Sequence, residues 1–593
     1  MDSQKRENLL NLSLDATKEE RERSMELDVG VGEDGESWEV IVRYSGNLDS
    51  YEEQAWLERV ELLGGYAILT VKREQLEELS RIPEIAYIEK PKRLFFELDT
   101  GRRASCIAPL QSTVMVGDTR QRLFGRGCII AVLDSGIDYF HEDFRNEDGS
   151  SRILRIWDQT LEDFPGQPPK GYRTGVEFTR EQIDAALAAG DREAALRLVP
   201  VTDESRHGTA VAGIAAGNGR ASNGRYRGAA PESELLIVKL GRSRADGFPR
   251  TTELMQAVDY AVKYAAERNL PLAVNISIGN TYGSHDGTAL LESYLNTAAD
   301  VGRTVIVTGT GNEGASMGHT SAVIADREEQ IIEFSVGSYE SKLNIQLWKY
   351  YVDEMSFELV MPSGERIGPF EQRLGTQRFR SGQTEFLVFY GEPAPYTKAQ
   401  EIYIDMLPEG SASYISSGFY ELHVRAGRVV QGEYHLWMPS AGILSRNTGF
   451  SLPTPDITLT IPSTAAKLIS VGAYDAATDI FSDFSGRGYT RVVPMVKPEL
   501  VAPGVRVTAP APAGGYEQYT GTSFAAPFVT GAAALLMEYG IINGNDAYLY
   551  GEKVKAYLIR GARRLPGFEE FPNPLTGYGA LCVAESIPQF TTD

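Results

Sequence analysis

The 593-residue chain predicts an α/β protein with a parallel sheet covered by helices on both faces, a small α+β unit before it and an all-β insertion within it. Three observations carry this. Between about residues 110 and 315, short apolar runs alternate with helical patterns of ten or more residues, as expected when buried strands lie parallel and cross over through helices. From about 320 to 455 the rhythm changes to closely spaced β-branched and aromatic runs with turn signals between them, the mark of an antiparallel sandwich or barrel. From 456 the α/β rhythm returns. At roughly 100–200 residues per domain, the length admits about three such units.

Residues 1–36 carry the charged run KEERERSME and read as a solvated arm. Residues 37–97 form the α+β unit. SWEVIVRYSG alternates as a strand, EEQAWLERVELLGG has helical spacing ending in glycine, and YAILTVK is a second strand. REQLEELSRIPEI is a helix stopped near Pro83, and AYIEKPKRLFFEL a last extended stretch. Residues 98–319 hold the first part of the large α/β domain. GRGCIIAVLDSGID, SELLIVKLG, LAVNISIG and TVIVTGTGNEG read as buried strands. HGTAVAGIAAG, TTELMQAVDYAVKYAAERN and DGTALLESYLNTAADVG read as the helices between them, and TREQIDAALAAG as a surface helix in a smaller insertion near 151–200. Residues 320–455 are the inserted sandwich, with LNIQLWKYYV, TEFLVFYG, EIYIDML and GFYELHVRA among its strands. Residues 456–593 complete the α/β domain through ITLTIPSTAAKLISVGAYD and the long small-residue helix GTSFAAPFVTGAAALLMEYG.

Composition excludes several classes. A hydrophobic fraction of 42% excludes a disordered chain. The net charge of −23 repels nucleic-acid phosphates and anionic lipid, so neither nucleic acid nor membrane is expected as a partner. No run approaches about 18 apolar residues, so no transmembrane helix is expected. The N-terminus lacks a basic stretch followed by an apolar core, which predicts a protein made in the cytoplasm without a secretory signal. Cys106, Cys128 and Cys582 are too few for a disulfide framework or a zinc site of CxxC pairs, and read as buried free thiols. The six histidines include no HExxH or HxH, so no metal is expected in the site.

Three polar residues stand where an apolar strand meets a Gly-rich turn or a helix: Asp134 in AVLDSGID, His207 in RHGTAVAG and Ser523 in GTSFAAP. Singly, each suits a structural role, as a helix cap or a lone buried histidine. Together they supply orienting carboxylate, base and nucleophile. A serine hydroxyl is not ionised near neutral pH and requires a base within hydrogen-bond reach. His207 would take the Ser523 proton and return it to the leaving amine, while Asp134 holds the imidazole tautomer. A serine at a helix N-terminus also places oriented N–H groups near a developing oxyanion.

VLDSGID, HGTAVAGIAAG, NISIG, TGTGNEG, KPELVAPG and GTSFAAPFVTGAAALL, in this order, resemble the subtilisin-like serine proteases over about residues 110–315 and 456–560. The resemblance implies a subtilisin-like parallel sheet, with Asn312 of TGTGNEG as the side-chain donor of the oxyanion hole. It implies Ser277, Ile278 and Gly279 as one wall of the S1 pocket, Thr310 and Gly311 as the other, and a second substrate-binding edge near Gly247–Arg250. Two positions depart from the pattern. Ala210 stands in HGTA where many members have a second histidine. Asp143 matches a frequent calcium ligand, but GNGRASNGRYRG offers no matching carboxylates; no cofactor is expected, with calcium the alternative.

Residues 37–97 resemble a subtilisin propeptide, which implies that RLFFELDTGRRAS passes through the cleft and is self-cleaved between about 96 and 106. The expected lack of a secretory signal, a propeptide-like unit and a large β insertion between Asn312 and Ser523 together resemble the germination-specific Csp proteases of clostridial spores, whose insertion is a jelly roll, and GSHDG (Gly283–Gly287) and HGTAVAGIAAG fit that subgroup. That implies a spore-packaged endopeptidase that processes its own propeptide, can keep it bound, and activates the zymogen of a spore-cortex-lytic enzyme by limited proteolysis. A general intracellular protease and a propeptide-occluded signalling pseudoprotease are the alternatives.

Overall fold

The computed structural model describes residues 5–588 except 25, 33–34, 52–56, 93–94, 97–103, 108–109, 112–113, 117–118, 242–247 and 493. Among the described residues the central sheet has nine strands: Val176–Thr179 and Ile480–Phe481 are antiparallel to their neighbours, and the other seven are parallel. Their spatial order is Ile153–Asp158, Glu234–Lys239, Ile129–Asp134, Leu272–Ile276, Thr304–Gly309, Ile469–Asp475 and Leu500–Pro503. Ile129–Asp134 and Leu272–Ile276 are buried at every position, which is why they read as unbroken apolar runs. Helices Thr251–Glu267 and Leu290–Ala299 cover one face, and His207–Ala216 and Thr522–Met537 the other. The latter two are rich in small residues because they pack closely: a Cβ on Gly531 would sit 2.8 Å from the Ala215 carbonyl oxygen.

The Thr522 helix continues to Ile542, 21 residues with the length and hydropathy of a membrane span, against the sequence expectation of none. It is a core helix: 89% of its apolar window is buried. Glu538, which interrupts the apolar run, is buried and accepts the N–H groups of Phe124 and Gly125 at 2.7 and 2.6 Å.

The N-terminal unit is an antiparallel sheet in the order Glu58–Leu62, Tyr66–Lys72, Ser37–Tyr44, Ile85–Glu89, with the helix Gln75–Arg81. Strand alternation divides its core: Trp38, Val40 and Val42 turn to its own helix, and Ile41 to the helices of the large domain. The helix expected over EEQAWLERVELLGG is corrected in its described part. Glu58–Leu62 is a strand, because Val60 and Leu62 at period two enter the core, and Gly64 and Gly65 at φ +73° and +78° turn the chain back into Tyr66–Lys72.

The solvated arm is also corrected. Helix Asn8–Asp15 buries Leu10 in the N-terminal unit's core, and Leu9 and Leu12 against Leu387, Phe389, Tyr403 and Leu407 of the insertion. Its charges find partners too: Glu20 pairs with Arg378 at 3.0 Å and Arg23 with Glu385 at 2.9 Å. The arm therefore pins the N-terminal unit to the insertion.

The insertion is two antiparallel sheets packed face to face. One has the order His319–Val323, Glu433–Trp437, Leu343–Tyr350, Ala399–Pro408, Thr384–Tyr390, Gln377–Ser381. The other has Arg366–Ile367, Met355–Val360, Gly418–Ala426, Glu329–Val336, Gly449–Phe450, and their inner faces share one apolar core. The reading of three free thiols holds only for Cys128. Cys106 and Cys582, 476 residues apart, form a disulfide, a pairing that spacing along the chain does not reveal.

Candidate active site

Asp134 ends its strand, His207 opens its helix, and Ser523 is the second residue of the Thr522–Met537 helix. The sheet brings all three to the carboxyl ends of neighbouring strands, where open α/β sheets place their sites. Asp134 Oδ1 lies 2.7 Å from His207 Nδ1, with both side chains buried. That contact puts the imidazole proton on Nδ1 and makes Nε2 the basic nitrogen. The His207 ring packs on Phe524, which stacks on Tyr519.

Ser523 and Ser277 are bonded twice. Ser523 Oγ donates to the Ser277 carbonyl at 3.2 Å, and Ser277 Oγ donates to the Ser523 carbonyl at 2.9 Å. Ile278 and Gly279 continue from Ser277 as a two-residue strand, and Phe96 and Phe95 pair with them antiparallel. The end of the N-terminal unit thus occupies an edge of the kind to which extended peptides add. Most of the segment read as self-cleaved, residues 97–103, lies outside the described residues.

Asn312 Oδ1 accepts the N–H of Thr522 at 3.1 Å, which assigns the amide orientation and makes its NH2 end the donor. Thr522 Oγ1 in turn accepts the N–H of Gly311 at 3.1 Å, so one residue beside the serine aligns both. Thr310 is held by its N–H to Val471 O and its hydroxyl against Ser485. Of the second expected edge, Gly247 lies outside the described residues. Arg250 pairs with Glu253 and, at 3.0 Å, with Glu39 of the N-terminal unit.

Three residues of the site were not singled out within or beside the motifs: Thr522, Ser135 and Asp203. Ser135 follows Asp134, its hydroxyl donates to Asp203, and it accepts the N–H of Gly208 beside His207. Asp203 stands four residues before His207 in a polar stretch that reads as an ordinary loop.

The residues around Asp143 do not fit a calcium ion. The Tyr516 hydroxyl lies 2.9 and 2.8 Å from its two carboxylate oxygens, and Ala221 N–H donates to one of them. Among the described residues no group of three or more acidic, histidine or cysteine side chains is placed to hold a metal.

Residues 4–92 match the Csp protease B prodomain, and residues 125–416 and 449–579 match the Subtilase family. The first match includes the segment read as an arm, in keeping with its packing. A solved structure titled "Structure of the Clostridium Perfringens CspB protease" is 35% identical, over 81% of this chain and 95% of that one, with a TM-score of 0.73. The minor extracellular protease Vpr of Bacillus subtilis is 24% identical, over 78% of this chain and 52% of its own length. The PII-type proteinase of Lactococcus lactis subsp. cremoris is 22% identical, over 81% of this chain and 26% of its own length. The chain therefore spans about a quarter to a half of these curated relatives. With family matches over most of its length, the chain belongs to the subtilase family of serine proteases and carries a Csp-type prodomain at its N-terminus.

Proposed function

We propose that this protease cuts its own prodomain free, with Ser523 as nucleophile, His207 as base and then acid, Asp134 as the orienting carboxylate and Asn312 as an oxyanion donor. Ser523 Oγ attacks the scissile carbonyl as its proton passes to His207 Nε2. The tetrahedral oxyanion collapses to an acyl-enzyme, His207 protonates the leaving amine, and water completes hydrolysis. The observation that carries this reading is the pairing of Phe95–Phe96 with Ile278–Gly279, which aims the end of the prodomain at Ser523 as a substrate. On a denaturing gel, wild type should separate into a small prodomain fragment and a large catalytic one, and Ser523→Ala should stay whole. An uncut wild type would sink the autoprocessing reading.

The resemblance to germination-specific Csp proteases supports a further step: limited proteolysis of a spore-cortex-lytic zymogen, by a protein packaged in the spore. Incubating the processed enzyme with such a zymogen should give one new N-terminus. Broad digestion of casein would favour a general protease instead. The contact of the N-terminal helices with the insertion favours a prodomain retained after cleavage. If cut enzyme ignores every protein substrate, permanent occlusion becomes the better reading.

A further inference from the structure

At the downstream end of the segment read as self-cleaved, the chain is fastened to the other end of the protein. Tyr474 donates its hydroxyl to Ala104 O at 2.7 Å, and Val583 donates its N–H to Ser105 O at 3.3 Å. Cys106 then joins Cys582 in the disulfide. The two cysteines differ in their surroundings. Cys582 is 5% exposed and caps the short helix Val583–Ser586, whose Val583 enters the core. Cys106 is half-buried and forms part of the wall of an open cavity of about 1020 Å³. A small reagent therefore reaches the disulfide from the Cys106 side.

That cavity is cationic, on a chain whose net charge is −23. Arg225, Arg227 and Arg506 line it. Among the described lining residues the only carboxylate is that of Asp475, with which Arg506 pairs at 2.6 Å. The loop that bears the other two arginines is held in place: Tyr226 donates its N–H to Ser222 Oγ at 2.9 Å, and Gly228 donates its N–H to Gly217 O at 2.7 Å. The Tyr226 ring also packs on Tyr516 at 4.8 Å. Pockets of roughly 300–1,000 Å³ take small-molecule ligands. A concavity lined by one sign of charge concentrates ions of the other. A disulfide yields to a thiolate that reaches one of its sulfurs. Together these requirements name one class of ligand, a small thiol that carries negative charge.

We propose that this cavity is a thiol–disulfide exchange site for a small anionic thiol, which attacks at Cys106. The ligand loses its thiol proton, and its thiolate attacks Cys106 Sγ. The Cys106–Cys582 bond breaks as the new S–S bond forms, and the electron pair leaves on Cys582 Sγ, which takes up a proton. The products are a mixed disulfide on Cys106 and a free thiol on Cys582, with no oxidant or reductant needed beyond the ligand itself. Attack by the Cys582 thiolate on Cys106 Sγ reverses the step and expels the ligand. Opening the bond unties the start of the catalytic domain from its end.

The test uses the full chain, with glutathione and its diethyl ester as probes. The two share one thiol and differ in their carboxylate charges, and each is first timed on a small neutral disulfide to remove any difference in intrinsic reactivity. Clefts lined by one sign of charge raise association rates about 10–10³-fold. Glutathione should therefore open Cys106–Cys582 at least about tenfold faster than the ester, read as thiols trapped by a maleimide after denaturation, with Cys128 a constant background. Replacing both exposed arginines, Arg225→Gln with Arg506→Gln, should move the ratio toward one. So should 1 M salt, which shortens the screening length to about 3 Å. Mass spectrometry reads the point of attack: under oxidised glutathione, Cys582→Ala should carry the tripeptide on Cys106, and Cys106→Ala should leave Cys582 unmodified. Circular dichroism checks the fold of each variant, and if a variant does not fold the wild-type rates decide alone. Equal rates for the two probes or a preference untouched by the arginine substitutions would overturn the proposal. So would an adduct on Cys582 in preference to Cys106, or a pair that stays reduced under oxidised glutathione.

Discussion

Asp134 and Asp203, two buried carboxylates, are joined through a single residue: Ser135 donates its N–H to Asp134 Oδ1 and its hydroxyl to Asp203 Oδ1, each at 2.7 Å. The Ser135 hydroxyl has one proton, and its longer 3.1 Å approach to Asp134 leaves that proton with Asp203. Asp203 Oδ2 accepts the N–H of Thr209, on the helix that His207 opens. The loop after Asp134 and the His207 helix are therefore keyed to one carboxylate. Asp203→Ala should lose about 1–3 kcal/mol, as expected when buried donors lose their acceptor. It should also lower kcat, with KM little changed, because the Asp134–His207 geometry loosens. Thermal melts and peptide kinetics read both effects, and a stability loss with kcat intact would make Asp203 purely structural.

Asp134→Asn keeps the shape of the side chain but lets an NH2 face His207 Nδ1, which favours the wrong tautomer. The expected loss is about 10⁴ in the rate of self-cleavage. Because the fold is unchanged, circular dichroism should match wild type. A processing rate within tenfold of wild type would remove Asp134 from the triad.

Asn312→Ala removes a donor whose orientation is set by Thr522 N–H on its Oδ1. Loss of one such donor lowers kcat by about 10²–10³. The acyl-accepting geometry of Ser523 and His207 does not depend on this amide, so peptide KM should stay near the wild-type value. A proportional rise in KM would mean that Asn312 binds substrate equally in ground and transition states.

The triad was legible because each member sits in a contiguous strand-end motif whose turn and helix residues read together. The same holds for Asn312 and the two glycine walls. Thr460, which donates its N–H to Thr310 O at 2.9 Å and fills the space beside Gly279 and Gly311, was not legible: those partners lie far upstream, on the other side of the whole insertion. The Cys106–Cys582 pair fails for the same reason, since only the three-dimensional return of the C-terminal segment joins them. The arm misled for a different one. KEERERSME looks solvated until Arg378 and Glu385, on two neighbouring strands of the distant insertion, pair with Glu20 and Arg23, and the short apolar run around Leu9–Leu12 gave too few turns to show two buried faces.

Leu12 reaches from the N-terminal helix into the apolar surface of Leu387, Phe389 and Tyr403, and is fully buried. Leu12→Ala should weaken that junction by about 2–5 kcal/mol. Cleavage itself, made at the other end of the prodomain, should proceed normally. The cut prodomain should then leave the enzyme during size-exclusion chromatography, where the wild-type fragments co-elute. Co-elution as firm as wild type would show that the prodomain sheet alone holds it.

Glu401 makes the same junction sensitive to pH. It lies on the insertion strand Ala399–Pro408 and accepts from Asn8 Nδ2 of the N-terminal helix at 3.3 Å. Burial pushes its carboxyl up to about 8; the charges of Glu7 and Glu89 add to this, and the Asn8 bond and Lys92 oppose it. In the unfolded chain a glutamate titrates near about 4.3. Between those values the folded state holds a proton that the unfolded state has lost, so this contribution is complete below about pH 4 and drains away as pH rises to about 8. The full amplitude is on the order of a few kcal/mol. Glu401→Gln stays neutral and keeps an oxygen for Asn8, so it should match wild type in Tm near pH 4 and exceed it increasingly up to a plateau above about pH 8. Prodomain retention should follow, with wild type releasing the fragment sooner at pH 9 than at pH 6 and the glutamine variant releasing it equally at both. A Tm difference that is flat across the range would mean that Glu401 is ionised in the folded protein throughout, its charge carried by Lys92 across the small cavity they share.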